Sequence, residues 1–145
     1  MRKLNEMRLT FPARSENEAF ARAAVAVFAG LYDPTVEELG DLRMVVSEAV
    51  TNAVVHAYPE GEGAVTLTAA FYEGNILKLR VRDTGVGIPD VKKAMEPLFT
   101  TGGEERSGIG FSVMESFSDG LRVRSSPGRG TTVAITKRLG VRHDG

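Results

Sequence analysis

Apolar and polar side chains alternate from Met7 to Phe11, which puts Met7, Leu9 and Phe11 on one face of a short strand suited to a sheet edge. Ser15 followed by Glu18 matches a capping box. Beyond it Ala19, Phe20, Ala23, Ala24, Val27 and Phe28 recur at helical spacing, so the pattern predicts an amphipathic helix running to about Gly30 with these residues as its apolar stripe. A second helical region opens at Pro34 and Thr35 and carries a broad stripe from Val36 through Leu42, Val46 and Val50 to Val54. It should end near Tyr58 and Pro59, because proline has no N–H with which to continue.

The Pro59 to Gly63 stretch reads as a loop. Ala64 to Tyr72 and Ile76 to Arg82 alternate strictly around Glu73, Gly74 and Asn75, the signature of an antiparallel hairpin. After Asp83 come the glycine-rich residues of DTGVGIPD, a short helical piece around Val91 to Met95, and a polar loop from Leu98 to Gly110. Helical spacing returns over Phe111 to Phe117, and a last hairpin joins Leu121–Ser125 to Thr131–Arg138 across Ser126 to Gly130. These elements add up to an α+β two-layer sandwich, helices on one face of a mostly antiparallel sheet, in a single domain spanning 1–145 with a loose tail over 140–145.

Composition narrows the function classes. With 42% hydrophobic and 26% charged residues the chain reads as an ordinary folded protein, and no run is long and apolar enough for a membrane helix. A cytoplasmic protein without membrane contact is expected. No cysteine and two histidines leave neither disulfides nor a zinc site. A net charge of -1 supplies no general field for phosphate backbones and the sequence shows no convincing basic patch, so no direct contact with nucleic acid is expected.

Candidate chemistry falls in three places. Within SEAVTNAVVHAY, Glu48, Asn52 and His56 are spaced four apart and share one helix face away from the apolar stripe. A solvated helix face would look the same. Asp83-Thr84-Gly85-Val86-Gly87 follows a strictly alternating strand, where an acid beside bare backbone can accept a hydrogen bond from a ligand; a plain tight turn would also satisfy the pattern. Arg106-Ser107-Gly108-Ile109-Gly110 puts glycines where a loop enters a helix, so that backbone N–H groups face an anion, though without the lysine of a Walker loop.

Taken in order, a helix with Glu and Asn, a strand-end Asp-x-Gly-x-Gly and a Gly-x-Gly ahead of a helix resemble the N, G1 and G2 boxes of the Bergerat-fold family of Hsp90, DNA gyrase, sensor kinases and MutL. Gly128 to Thr132 resembles the final glycine–threonine element of that family. The resemblance implies a mixed, mostly antiparallel sheet and binding of ATP or ADP with Mg2+. By the same analogy Asn52 holds the metal and Glu48 orients or deprotonates the attacking hydroxyl. Asp83 accepts the adenine amino group with Thr131 or Thr132 nearby, and Gly85 and Gly87 leave room for the base. Ser107, Gly108 and Gly110 hold phosphate oxygens with Thr100 and Thr101 of a mobile flap, while Arg106 meets the terminal phosphate. His56 is read as packing rather than catalysis.

Over nearly its whole length the chain is also similar to the anti-sigma serine kinases, and among them to the sporulation anti-sigma F family, in NEMRLTFPARSENEAFAR, DTGVGIPD, EPLFTT and ERSGIGFSVMESF. The flap over Thr100 to Arg106 is shorter than the family's and lacks a lysine after the threonines, and the Pro59 to Gly63 loop is also trimmed. That likeness implies a homodimer that sequesters a sigma factor, phosphorylates an anti-anti-sigma protein on serine and so switches partners. Glu16 and Arg22, off the first helix's apolar stripe, are the expected partner contacts. The alternatives are a general-stress anti-sigma kinase and an ATP-gated binding module that transfers nothing.

Overall fold

The computed structural model describes residues 1–58, 63–88 and 105–141, with side chains for all of these except His56 and residues 105–109. Thr100, Thr101, the helical piece expected over Val91 to Met95 and the end of the tail lie outside the described residues.

Five strands form one sheet: β1 (Lys3–Pro12), β2 (Ala64–Tyr72), β3 (Ile76–Asp83), β4 (Gly120–Ser126) and β5 (Gly130–Arg138), in the order β1-β2-β3-β5-β4. β1 is an edge strand, as its alternation suggested, but a longer one. Every pairing is antiparallel, so the mixed sheet expected from the family resemblance is corrected to an antiparallel one among the described residues. Antiparallel neighbours need only tight turns. The β2–β3 turn has Gly74 and Asn75 at positive φ, and the β4–β5 turn has Gly128 there.

Among the described residues three helices, α1 (Glu16–Gly30), α2 (Val36–Asn52) and α3 (Glu105–Ser116), lie with a π-helical turn, Ala53–Ala57, that extends α2. They cover one sheet face, where Val65, Leu67, Leu79 and Ile135 are buried against Val25, Val46, Val50 and Met114. Among the described residues the opposite face carries no helix, and β3 accordingly alternates buried and exposed along its length.

Two local expectations change. Ser15 has helical backbone angles and makes no capping bond. Its Ser/Thr-x-x-Glu spacing is shared by Thr35 and Glu38, and there both halves of the box form: Glu38 N donates to Thr35 Oγ1 at 3.0 Å and Thr35 N donates to a Glu38 oxygen at 2.8 Å. A cap must be extended to aim its hydroxyl back at the helix, which Thr35 is and Ser15 is not. The buried stripe of α1 is Ala21, Val25, Phe28 and Ala29, whereas Phe20 and Val27 face outward. Both sides of this helix are apolar, and the Tyr32 ring that follows it, stacked on Phe71 with centroids 3.6 Å apart, anchors the side that turns inward.

Glu38 has a second task. Its carboxylate also accepts from Gly140 N and Val141 N, at 2.8 and 2.9 Å, so the tail expected to be loose from residue 140 is tied down through Val141.

Candidate functional site

Glu48 and Asn52 project from the last turns of α2, one turn apart, toward α3. Their meeting point is Gly110, where a β-carbon would stand 3.1 Å from Glu48 Oε2 and 3.2 Å from Asn52 Nδ2. The missing side chain lets the two helices close around both polar groups. Asn52 Nδ2 is buried without a hydrogen-bond partner among the described residues, which is rare because an orphaned buried donor costs about 1–3 kcal/mol. The unsatisfied end is an N–H donor, so it fits an acceptor atom of a bound group such as a phosphate oxygen, while the amide oxygen beside the Glu48 carboxylate is a hard donor of the kind suited to magnesium.

The face was expected to include His56. The α-helical winding stops at Asn52 and gives way to the π turn, so four-residue spacing no longer carries the pattern onward. That turn leaves the Ala57 carbonyl aimed at the end of β3, where Val86 N donates to it at 2.8 Å. Gly85 makes the approach possible, since a β-carbon there would lie 2.0 Å from the same oxygen. Gly87 has a φ of 78° and a β-carbon on it would meet Ser126 O at 2.1 Å. These glycines pack the loop between a helix end and the β4–β5 hairpin; their α-carbons turn toward protein backbone and not, as expected, toward space for a base.

Asp83, buried at the end of β3, accepts hydrogen bonds from Gly85 N at 3.0 Å and Thr131 N at 3.2 Å, both on Oδ1. No described residue donates to Oδ2. Burial pushes the Asp83 pKa above its ordinary value, and the two N–H donors offset only part of that rise. The register decides between the two threonines: Thr131 pairs with Asp83 on the helix-covered side, whereas Thr132 pairs with Arg82 on the open face.

Two residues that the sequence marked only as the ends of elements hold this corner together. Ser125 Oγ accepts from Ile88 N at 2.7 Å and lies 2.8 Å from Thr131 Oγ1. Tyr58 OH accepts from Thr84 N at 2.9 Å and donates to Ala64 O at 2.7 Å. The alternation of β4 points Ser125 to the same side as Leu121 and Val123, which is the one sequence signal for it.

Arg106, Ser107 and Gly108 form the opening of α3, which starts earlier than the loop expected through Gly110. Only the first four N–H groups of a helix lack an acceptor within it, so these three residues can present theirs to an anion, while Gly110 lies beyond them and serves as clearance for Glu48 and Asn52. The side chains of Arg106 and Ser107 are outside the described ones, as is that of His56. Glu16 pairs with Arg14, and Arg22 with Glu18 at 3.6 Å.

An antiparallel sheet backed by helices, with an Asn and Glu on the long helix, a strand-end Asp with two glycines and a helix N-terminus in that order, defines a nucleotide-binding domain of the histidine kinase type. Residues 11–137 match the family described as the histidine kinase-like ATPase domain. The chain is 50% identical to an anti-sigma F factor of Thermoanaerobacter sp. over 97% of its own length and 98% of that protein's. To an anti-sigma F factor of Pasteuria penetrans it is 53% identical, over 94% and 93% of the two chains. The solved RsbU and RsbW domains of a Mycobacterium tuberculosis protein share the fold with a TM-score of 0.70 at 20% identity, covering 94% of this chain and 33% of that one. The chain belongs to the anti-sigma F factor family of histidine kinase-like ATPases.

Proposed function

We propose that this chain, acting as one domain, binds ATP with Mg2+, sequesters a sporulation sigma factor, and phosphorylates an anti-anti-sigma protein on serine to release it. One observation carries the reading: Glu48 and Asn52, whose Nδ2 has no partner among the described residues, converge on the bare α-carbon of Gly110, two residues beyond the N–H of Gly108. A proton acceptor, a hard oxygen donor and an anion-binding helix end are what phosphoryl transfer requires.

Glu48 accepts the proton of the substrate serine as its oxygen attacks the γ-phosphorus. The bond from that phosphorus to the β-phosphate oxygen breaks, and ADP departs with the electron pair. Asn52 would hold the magnesium ion through its amide oxygen, and the ion when bound supplies charge neutralisation to the phosphates. Asp83 accepts the adenine amino group on Oδ2, with Thr131 beside it. Arg106, Ser107 and Gly108 face the phosphates, Thr100 and Thr101 close over them, and Glu16 and Arg22 on α1 meet protein partners of a homodimer.

The test is transfer of label from γ-labelled ATP to the anti-anti-sigma protein. E48Q should bind ATP with unchanged affinity yet lose about 10²–10⁴-fold of the transfer rate. Unchanged transfer in E48Q would overturn the role of Glu48, and no heat on titration with Mg·ATP would overturn the nucleotide site.

A further inference from the structure

Basic residues that are scattered in the sequence are gathered by the strand register onto the face of the sheet that no helix of the described residues covers. One row across the strands reads Thr10, Thr66, Arg82, Thr132, Arg124, and the next reads Arg8, Thr68, Arg80, Ala134, Arg122. A third row, Glu6, Ala70, Lys78, Thr136, Gly120, adds one cation and the only carboxylate of the three. Arg8, Arg80, Arg82, Arg122 and Arg124 are all exposed. None of the five makes a hydrogen bond or ion pair with a described residue, whereas Glu6 is paired with Lys3.

The spacing follows from sheet geometry. Cations on one strand recur about 6.7 Å apart, and the β3 and β4 rails stand roughly 10 Å apart with β5 between them. The floor between the rails is Thr132, Ala134 and Thr136, short side chains of which two offer hydroxyl donors. On the other side of β3 the floor is Thr66 and Thr68 of β2. For a chain of net charge -1, five guanidinium groups on two adjacent rows, opposed there by the single Glu6 carboxylate, whose charge Lys3, Arg8 and Arg80 share, are a concentrated positive field.

We propose that this open sheet face is a sequence-independent binding surface for a nucleic-acid duplex, which it holds by its phosphates. Guanidinium forks match phosphate oxygens in pairs, and threonine hydroxyls are common additional phosphate donors. A protein partner fits less well, because protein interfaces have an apolar, aromatic-rich centre depleted of charge, and the two central rows contain no apolar residue larger than Ala134. An anionic membrane is disfavoured for the same reason, since stable attachment takes inserted apolar side chains as well as charge. A single strand would need aromatic rings on which to stack its bases; the nearby Tyr72 ring lies off these rows and under the Lys78 ammonium, 5.4 Å from its centroid. A duplex carries its phosphates outside and requires no such platform. The surface is separate from the nucleotide site, whose Asp83 and Thr131 point to the other side of the same strands.

Anisotropy of fluorescent DNA duplexes of two unrelated sequences, titrated with the full chain over a salt series, tests the proposal. Equal binding of the two is expected, with log K falling against log salt at a slope of about -4 to -5 for five contacts. The variant R80Q/R82Q/R122Q/R124Q changes only exposed side chains. Its slope should shrink by about 3 to 4 and its affinity should drop on the order of a thousandfold at about 0.1 M salt, with the melting temperature retained. Absence of duplex binding at low salt, or equal binding by the variant, would overturn the proposal. So would stronger arginine-dependent binding of a single strand, of phosphatidylserine vesicles or of polyglutamate.

Discussion

Gly110 stands so close to Glu48 that a β-carbon on it would lie 3.1 Å from Oε2, a contact tighter than nearly all real ones. The two residues come from different helices, and the hydrogen atom that Gly110 carries in place of a side chain leaves room for the end of the Glu48 side chain. G110A separates two effects of opposite sign. An alanine inside a helix gains about 0.8–1 kcal/mol over glycine. The neighbours it would push are the ends of the Glu48 and Asn52 side chains, which can swing aside at little cost in stability but lose their alignment. The expected outcome is a melting temperature equal to or above that of the parent, with phosphate transfer reduced by about tenfold or more. Calorimetry and the labelled-ATP assay on one preparation read both.

Gly85 presents the contrasting case, because the atom in the way is backbone. Its β-carbon would sit 2.0 Å from Ala57 O and 2.5 Å from the carbonyl carbon, in a π turn whose position is set by α2. G85A therefore has to break the Val86 N to Ala57 O bond and move the whole loop. A loss of about 3 kcal/mol or more is expected, seen as a lower urea midpoint together with loss of ATP binding. A G85A protein as stable as the parent would show that the loop can shift freely.

What was legible in the sequence was whatever local periodicity determines. The β2–β3 hairpin was readable because Ala64 to Tyr72 and Ile76 to Arg82 alternate without interruption around a Gly-Asn turn. Glu48 and Asn52 were readable because four residues is one turn. The inward side of α1 was not, since Ala, Val and Phe occupy both of its sides and the choice is made by Phe71 across the core. Nor was the need for Gly85, because the carbonyl it must clear belongs to Ala57 in a distant element. The basic face is the extreme case: Arg8, Arg80 and Arg122 are far apart in sequence and meet only through the pairing of Thr68 and Ala134 between them.

Asp83 offers a substitution that changes recognition without changing the fold. In D83N the amide oxygen can still accept from Gly85 N and Thr131 N, but an NH2 group replaces Oδ2 and confronts the adenine amino group with a donor. ATP binding should weaken by about 10- to 100-fold. Stability should not fall. The folded-state pKa of Asp83 is raised by burial, so its charge costs stability above that pKa and the cost fades as pH falls through it. Asparagine carries no such charge, and the melting temperature of D83N at neutral pH should equal or exceed that of the parent. A lower one would mean that the carboxylate itself stabilises the corner.

Glu38 works in the opposite sense and gives the protein an acid sensitivity that can be traced to one residue. Burial pushes its pKa up, yet the N–H bonds from Thr35, Gly140 and Val141 together outweigh this and hold the folded-state value below the ordinary one. A depressed folded pKa means that the stabilisation is fully present above the unfolded value of about 4.3 and is lost as pH falls through the folded value. The carboxylate joins the start of α2 to the chain leaving β5, so protonation loosens a cap and a long-range tie at once. E38A should cost about 2 kcal/mol or more at neutral pH, the sum of a lost cap and unsatisfied backbone donors. The isosteric E38Q keeps one acceptor oxygen and should lose less. Urea midpoints measured from pH 7 down to about 3.5 should converge for parent and E38Q toward the acid end; a gap that stays constant with pH would show that the Glu38 charge does not set the acid limit of the fold.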